Sequence, residues 1–271
     1  MKIGFMTNAW GTVLAYANAT TNVNDAHYFS TGPNSDAIKA IGAAGFEYIE
    51  MLDGNLLQYE NNEETFRALL KENNVELLTV YCAGNFIYDE ILDEELYKIT
   101  RAVKFAKKFG AKFLIVGGGA RRYDGVRESD YEKLGKALDK VVDIARKEGM
   151  ASGYHPHTGA LVLEPHEIDK FMESTSMDLY PDLGHICAGG GDPVEIVRKY
   201  ASRIHYVHLK DYNKNGFCLF GEGDINFKEI VNILSKNEAP VTYTVEADDY
   251  DGDPDVMVKI AAKNARELFG L

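Results

Sequence analysis

The chain has 271 residues, 45% hydrophobic and 26% charged, with 42 acidic against 29 basic side chains. Its formal charge of −13 argues against a nucleic-acid partner, because such a surface repels polyanions and cannot release their counterions. No apolar run approaches the roughly 20 residues that span a bilayer, which argues against a membrane partner. The three cysteines, Cys82, Cys187 and Cys218, are too few and too scattered for a disulfide framework.

The N-terminus, Met1 to Trp10, turns polar too early for a signal peptide's apolar core, so a cytoplasmic location is expected. In the absence of a secretion signal the sequon Asn18-Ala19-Thr20 is read as chance. Strand-like runs follow one another at Ile3–Met6, Tyr48–Leu52, Glu76–Tyr81, Lys112–Val116, Ala151–His155, Asp178–Asp182, Ile204–Leu209 and Thr242–Glu246. Between them helices are expected to begin near Asp36, Glu63, Glu94, Tyr131, Pro165, Pro193, Phe227 and Pro254. Leu134, Leu138, Val141, Val142 and Ala145 form one apolar stripe, and the three prolines sit where a first helical turn loses no hydrogen bond.

Eight strand–helix units without a linker read as a single (β/α)8 TIM barrel over residues 1–271, an α/β fold. A doubly wound sheet competes, but no Gly-x-Gly-x-x-Gly turn follows the first strand; Gly117-Gly118-Gly119 ends the fourth instead. The loop from Gly11 to Pro33 is long for a βα connection and fits a lid or an oligomer contact equally. Homo-oligomerisation is left open.

In such barrels chemistry sits at the C-terminal ends of the strands. The second strand ends in Glu50, the fifth in His155-Pro156-His157 and the sixth in Asp182-Leu183-Gly184-His185. The seventh ends in His208-Leu209-Lys210-Asp211 and the eighth in Glu246. Side chains two apart share a face, so His155 and His157 point into the mouth together, as do His208 and Lys210, while His205 points away. Converging carboxylates and imidazoles are costly to desolvate unless a cation neutralises them. Mixed N and O donors suit a divalent metal ion, Mn2+ first, with Co2+, Fe2+ or Zn2+ as alternatives.

Tyr154-His155-Pro156-His157-Thr158-Gly159, Asp182-Leu183-Gly184-His185, Val207-His208-Leu209-Lys210-Asp211, Gly221-Glu222-Gly223-Asp224 and Val245-Glu246-Ala247 occur in that order. With these motifs the chain resembles the xylose-isomerase-like TIM-barrel superfamily of sugar phosphate isomerases and epimerases, and within it the inosose dehydratase subgroup. The resemblance implies metal ligands at Asp182, His208 and Glu246, with His155 where most relatives carry a glutamate. Losing that glutamate puts a symmetric two-carboxylate epimerisation in doubt.

The implied chemistry begins with proton abstraction α to a carbonyl, giving an enediolate on a sugar or cyclitol. The base is expected at His157 or Glu246, because it needs a pKa near working pH. Lys210 is expected to stabilise oxyanion charge or to pair with Asp211, and His185 to contact substrate or support the metal. Glu50 is expected to face the substrate from the other side of the mouth, as leaving-group acid or hydroxyl-binding carboxylate. Trp10 offers an apolar face to a sugar ring or anchors the first loop, and Phe86 and Tyr88 offer further walls.

From the enediolate, β-elimination gives a dehydratase or lyase, on an inosose, a 3-keto-sugar or a 3-keto-glycoside. Reprotonation gives an isomerase or epimerase. The histidine pair favours elimination, which needs no base on the opposite face. A non-catalytic sugar-binding subunit is the reading from another class; a metal-dependent apurinic-site endonuclease conflicts with the acidic composition. Arg121-Arg122 is the basic pair that keeps a phosphorylated substrate open, and Asp248 to Asp253 reads as an acidic rim rather than a calcium loop.

Overall fold

Each expected apolar run becomes a parallel strand. In the computed structural model these are β1 (Ile3–Met6), β2 (Tyr48–Leu52), β3 (Glu76–Gly84), β4 (Phe113–Gly118), β5 (Ala151–Tyr154), β6 (Asp178–Leu179), β7 (Tyr206–Leu209) and β8 (Thr242–Val245). The structure describes residues 3–15, 22–247 and 252–271. The Asn18 sequon and residues 248–251 of the acidic stretch lie outside them.

Each strand leads to a helix that returns the chain: α1 (Asn34–Ala44), α2 (Glu63–Glu72), α3 (Leu92–Lys107), α4 (Glu128–Lys147), α5 (Pro165–Ser174), α6 (Pro193–Tyr200), α7 (Phe227–Leu234) and α8 (Pro254–Phe269). The strands neighbour one another in the order β6-β5-β4-β3-β2-β1-β8-β7. A parallel bridge between Asp182 and His208 joins the two ends, and the His208 amide donates to the Pro181 carbonyl at 3.0 Å. The seam of this (β/α)8 barrel is therefore stitched at two of the expected site residues.

Two apolar layers result. The larger lies between strands and helices, where Leu134, Leu138, Val141 and Ala145 of α4 are fully buried, as their spacing requires. The smaller gathers Tyr48, Leu78, Ile115, Tyr180 and Tyr206, contributed by different strands and by the chain just after β6. These side chains fill the barrel interior and floor the mouth, as strand side chains do in this architecture. Gly153 makes room for one of them: a Cβ there would lie 2.3 Å from the ring of Tyr180. Because Tyr180 is fully buried, Gly153→Ala is expected to cost about 1–3 kcal/mol, read as a lower midpoint in thermal or urea unfolding.

The described part of the long first loop is tied down. Val13–Ala15 and Tyr28–Ser30 pair antiparallel. The Ser30 amide donates to Asn55 Oδ1 at 2.7 Å, and the Asn55 amide returns a bond to the Ser30 carbonyl at 3.0 Å. His27 Nδ1 lies 2.6 Å from Asp53 Oδ2, both residues buried. The buried Lys98 ammonium donates to the carbonyls of Ala26 and Ala83 and pairs with Glu95 at 2.6 Å. Burying such charges is tolerable because each meets a partner.

Candidate active site

The ends of β5 and β7 bring two imidazoles together. His155 and His208 are both fully buried, with their Nδ1 atoms 2.9 Å apart. Burial pushes His155 well below the ordinary imidazole range, with His208 beside it adding to the effect, so the ring is held neutral. Burial alone would lower His208 too, but the Glu50 and Glu246 carboxylates outweigh it and push the group up to about 9. His208 Nε2 lies 3.0 Å from Glu50 Oε1 and 3.7 Å from Glu246 Oε2.

Asp182 sits at the seam, where it also caps the short helix Leu183–Ala188: its Oδ1 accepts the His185 amide at 2.8 Å. Burial raises its carboxyl, but Lys210 and the neighbouring imidazoles more than offset this and hold it below the usual range. Lys210 is the pivot of the mouth. Its Nζ lies 3.0 Å from His185 Nε2, 3.2 Å from Glu246 Oε1 and 3.4 Å from Asp182 Oδ2, and the residue is 2% exposed. Of the two expected settings for Lys210, the pairing with Asp211 is not the one found. Asp211 turns the other way and accepts the amides of Tyr212, Gly221 and Gly223 at 2.9 Å each. This knot explains the Gly-Glu-Gly-Asp turn, since a Cβ on Gly223 would lie 2.0 Å from the Asp211 carboxylate.

His157 is half-buried at the rim. Its Nδ1 donates to the Thr158 carbonyl at 2.7 Å, which leaves Nε2 as the atom with the lone pair in the neutral ring. The ring lies against His185, centroids 3.8 Å apart. A hairpin formed by Asp211–Asn213 and Gly216–Cys218 carries Phe217 edge-on to His185 at 4.9 Å, with the Lys210 ammonium 5.5 Å from the same ring. Sequence reasoning passed over Phe217, because the two-residue turn of this hairpin is Lys214-Asn215 rather than an Asn-Gly pair.

Several expected residues stand elsewhere. Glu50 does not face substrate from the far side: it is fully buried, accepting the Tyr206 hydroxyl at 2.6 Å on Oε2 and His208 on Oε1. Trp10 packs edge-on against Phe5 and donates to Asp255 Oδ1 at 2.9 Å, tying the first loop to the start of α8. Phe86 is buried in the outer core, and Tyr88 carries the Arg122 guanidinium over its ring. Arg121 bonds Glu167 and the Ala160 carbonyl, and Arg122 bonds Asp130, so the basic pair that left a phosphorylated substrate open is committed to buried carboxylates. His205 points away from the mouth as expected, 3.6 Å from Asp178.

One donor atom each from His155, His208 and Glu246 lies within 4.8 Å of the others, and a second such group is His155, His157 and His185. The buried His155 Nε2 and Asp182 Oδ2 make no hydrogen bond. Two buried carboxylates, Asp182 and Glu246, face the one Lys210 ammonium, and a third, Glu50, is bonded to His208, a concentration of buried donor oxygens that suits a cation. The donor set therefore fits a divalent metal ion.

The family model for the xylose isomerase-like TIM barrel matches residues 36–268. Inosose dehydratase of Clostridium tetani is 35% identical, aligned over 92% of this chain and 90% of its own length. Among solved structures, the probable 3-DHS dehydratase AsbF of Bacillus anthracis superposes with a TM-score of 0.73 at 16% identity, over 97% of this chain and 98% of that one. The 3-keto-D-glucoside 4-epimerase YcjR of E. coli does so with a TM-score of 0.70 at 16% identity, over the whole of both chains. With a matching family model across most of its length and a relative above 30% identity, the chain belongs to the xylose isomerase-like TIM barrel family.

Proposed function

We propose that this protein is a divalent-metal-dependent dehydratase of a keto-sugar or inosose, acting by α-proton abstraction to an enediolate and β-elimination of a hydroxyl. The observation that carries the reading is the half-buried His157, whose ring lies 5.7 Å from that of His155, which shares a donor cluster with His208 and Glu246, while Lys210 pairs with Asp182 and Glu246 of the same mouth. Its likeness to inosose dehydratases supports the same reaction class. The metal would be held by His155, Asp182, His208 and Glu246, and Mn2+ is the ion assigned first. When bound, it supplies Lewis-acid polarisation of the substrate carbonyl and neutralises enediolate charge.

The chain's own groups divide the remaining work. Glu246 is paired with Lys210 at 3.2 Å and is one of the metal donors, so the base role goes to His157. His157 Nε2 takes the α-proton as the C–H bond breaks. The same imidazolium returns that proton to the departing β-hydroxyl as the C–O bond breaks, so a double bond forms and water leaves. Lys210 donates to the developing oxyanion, and His185 holds Lys210 and the His157 ring in place. Phe217 walls the mouth and keeps water from the enediolate.

Incubating the protein with an inosose and Mn2+ is expected to yield an α,β-unsaturated carbonyl absorbance, abolished by EDTA and restored by added Mn2+. Clean epimerisation or aldose–ketose interconversion without loss of water would favour reprotonation of the same enediolate. A protein that binds inosose yet turns over nothing, with or without metal, would be a binding subunit.

A further inference from the structure

We propose that Glu50 is a positioning residue whose carboxylate fixes the His208 imidazole in the tautomer that ligates the metal. This rests on reading the mouth as a divalent-cation site. Glu50 has no exposure, so it touches neither solvent nor substrate, and a carboxylate is expensive to keep there without a task. Its two oxygens are divided. Oε1 lies 3.0 Å from His208 Nε2, and Oε2 accepts the Tyr206 hydroxyl at 2.6 Å.

A carboxylate only accepts, so this contact keeps a proton on His208 Nε2. The other ring nitrogen, Nδ1, keeps its lone pair and is turned toward His155 Nδ1, 2.9 Å away. Ligating imidazoles characteristically donate their second N–H to a carboxylate, which sets ring orientation and raises ligand basicity. Glu50 is itself held. Tyr206 also bonds Thr244 Oγ1, and it accepts from Thr79 Oγ1 at 3.1 Å, so a buried chain of three hydroxyls fixes the carboxylate from beneath. The chain links β3, β7 and β8 to β2, so four strands determine one ring's orientation.

Two measurements test this. Mn2+ affinity, followed by EPR of the free ion at constant pH, is expected to fall about 10–100-fold in Glu50→Ala. It should fall less in Glu50→Gln, whose amide oxygen can still accept from Nε2. A Glu50→Ala protein that folds and binds Mn2+ as the wild type does would overturn the assignment, leaving Glu50 as a support for Tyr206 alone. The second measurement needs no variant: in 15N-histidine-labelled wild type loaded with Zn2+, His208 should carry its proton on Nε2. A proton on Nδ1 would overturn the proposal even if Glu50→Ala proved too unstable to study. Wild type that takes up neither Mn2+ nor Zn2+ would overturn the cation-site reading itself, and the role of Glu50 with it.

Discussion

His157→Gln is expected to lower turnover of an inosose by about 10²–10⁴-fold, the range that a positioned general base contributes. Mn2+ affinity should stay within a factor of about two, because the proposed metal donors do not include His157. The amide keeps a polar side chain of similar length beside His185 but has no lone pair on a basic nitrogen. A readout specific to the base role is exchange of the substrate α-hydrogen in D2O. Wild type should exchange or eliminate it, and the variant should do neither. Full exchange in His157→Gln would move the base role to Glu246, the other residue within the mouth that fits it.

The second large effect concerns stability. Lys210→Met removes the ammonium that lies 3.2 Å from Glu246 Oε1 and 3.4 Å from Asp182 Oδ2, with all three residues buried. Breaking a buried pair from one side costs about 3–5 kcal/mol, because the remaining carboxylates keep their desolvation penalty. For a chain of this size that corresponds to a fall in Tm of about 10 °C, measured in EDTA. Saturating Mn2+ should recover most of the loss, because a bound divalent cation compensates the same carboxylates and stabilises by mass action. A Tm in EDTA equal to that of wild type would show that the lysine is not the local counter-charge.

How far the site was legible differs from residue to residue. His155, Asp182, His208 and Glu246 are legible as candidates because each lies at or just beyond the end of a strand, and this architecture assembles its chemistry there. Glu50 obeyed the same rule and was placed at the wrong depth. Along β2 the register against β3 shifts between Ile49 and Glu50, so that Glu50 pairs with Thr79 rather than with the next residue after Leu77. Such an irregularity changes how a strand's side chains are aimed, and nothing in the local sequence announces it. Phe217 was missed for another reason: the short hairpin carrying it lies within what periodicity reads as a loop.

By itself the sequence determined the alternation of strands and helices, the helix starts at Pro165, Pro193 and Pro254, and the types of group that meet at the barrel mouth. These are local matters, since burial on one face of a helix or strand writes a period into the chain. Only the tertiary structure decided the partners. Lys210 meets Asp182 and Glu246 while its chain neighbour Asp211 ties down three amides of the following loop, because consecutive residues leave a strand on opposite sides. Glu50 meets His208, far away in sequence, because closing the barrel carries β2 and β7 to opposite sides of one small interior. Which charge compensates which is thus set by closure of the barrel, and the −13 excess that began as a statement about the surface becomes, at the mouth, a specific pairing of Asp182 and Glu246 with Lys210 and of Glu50 with His208.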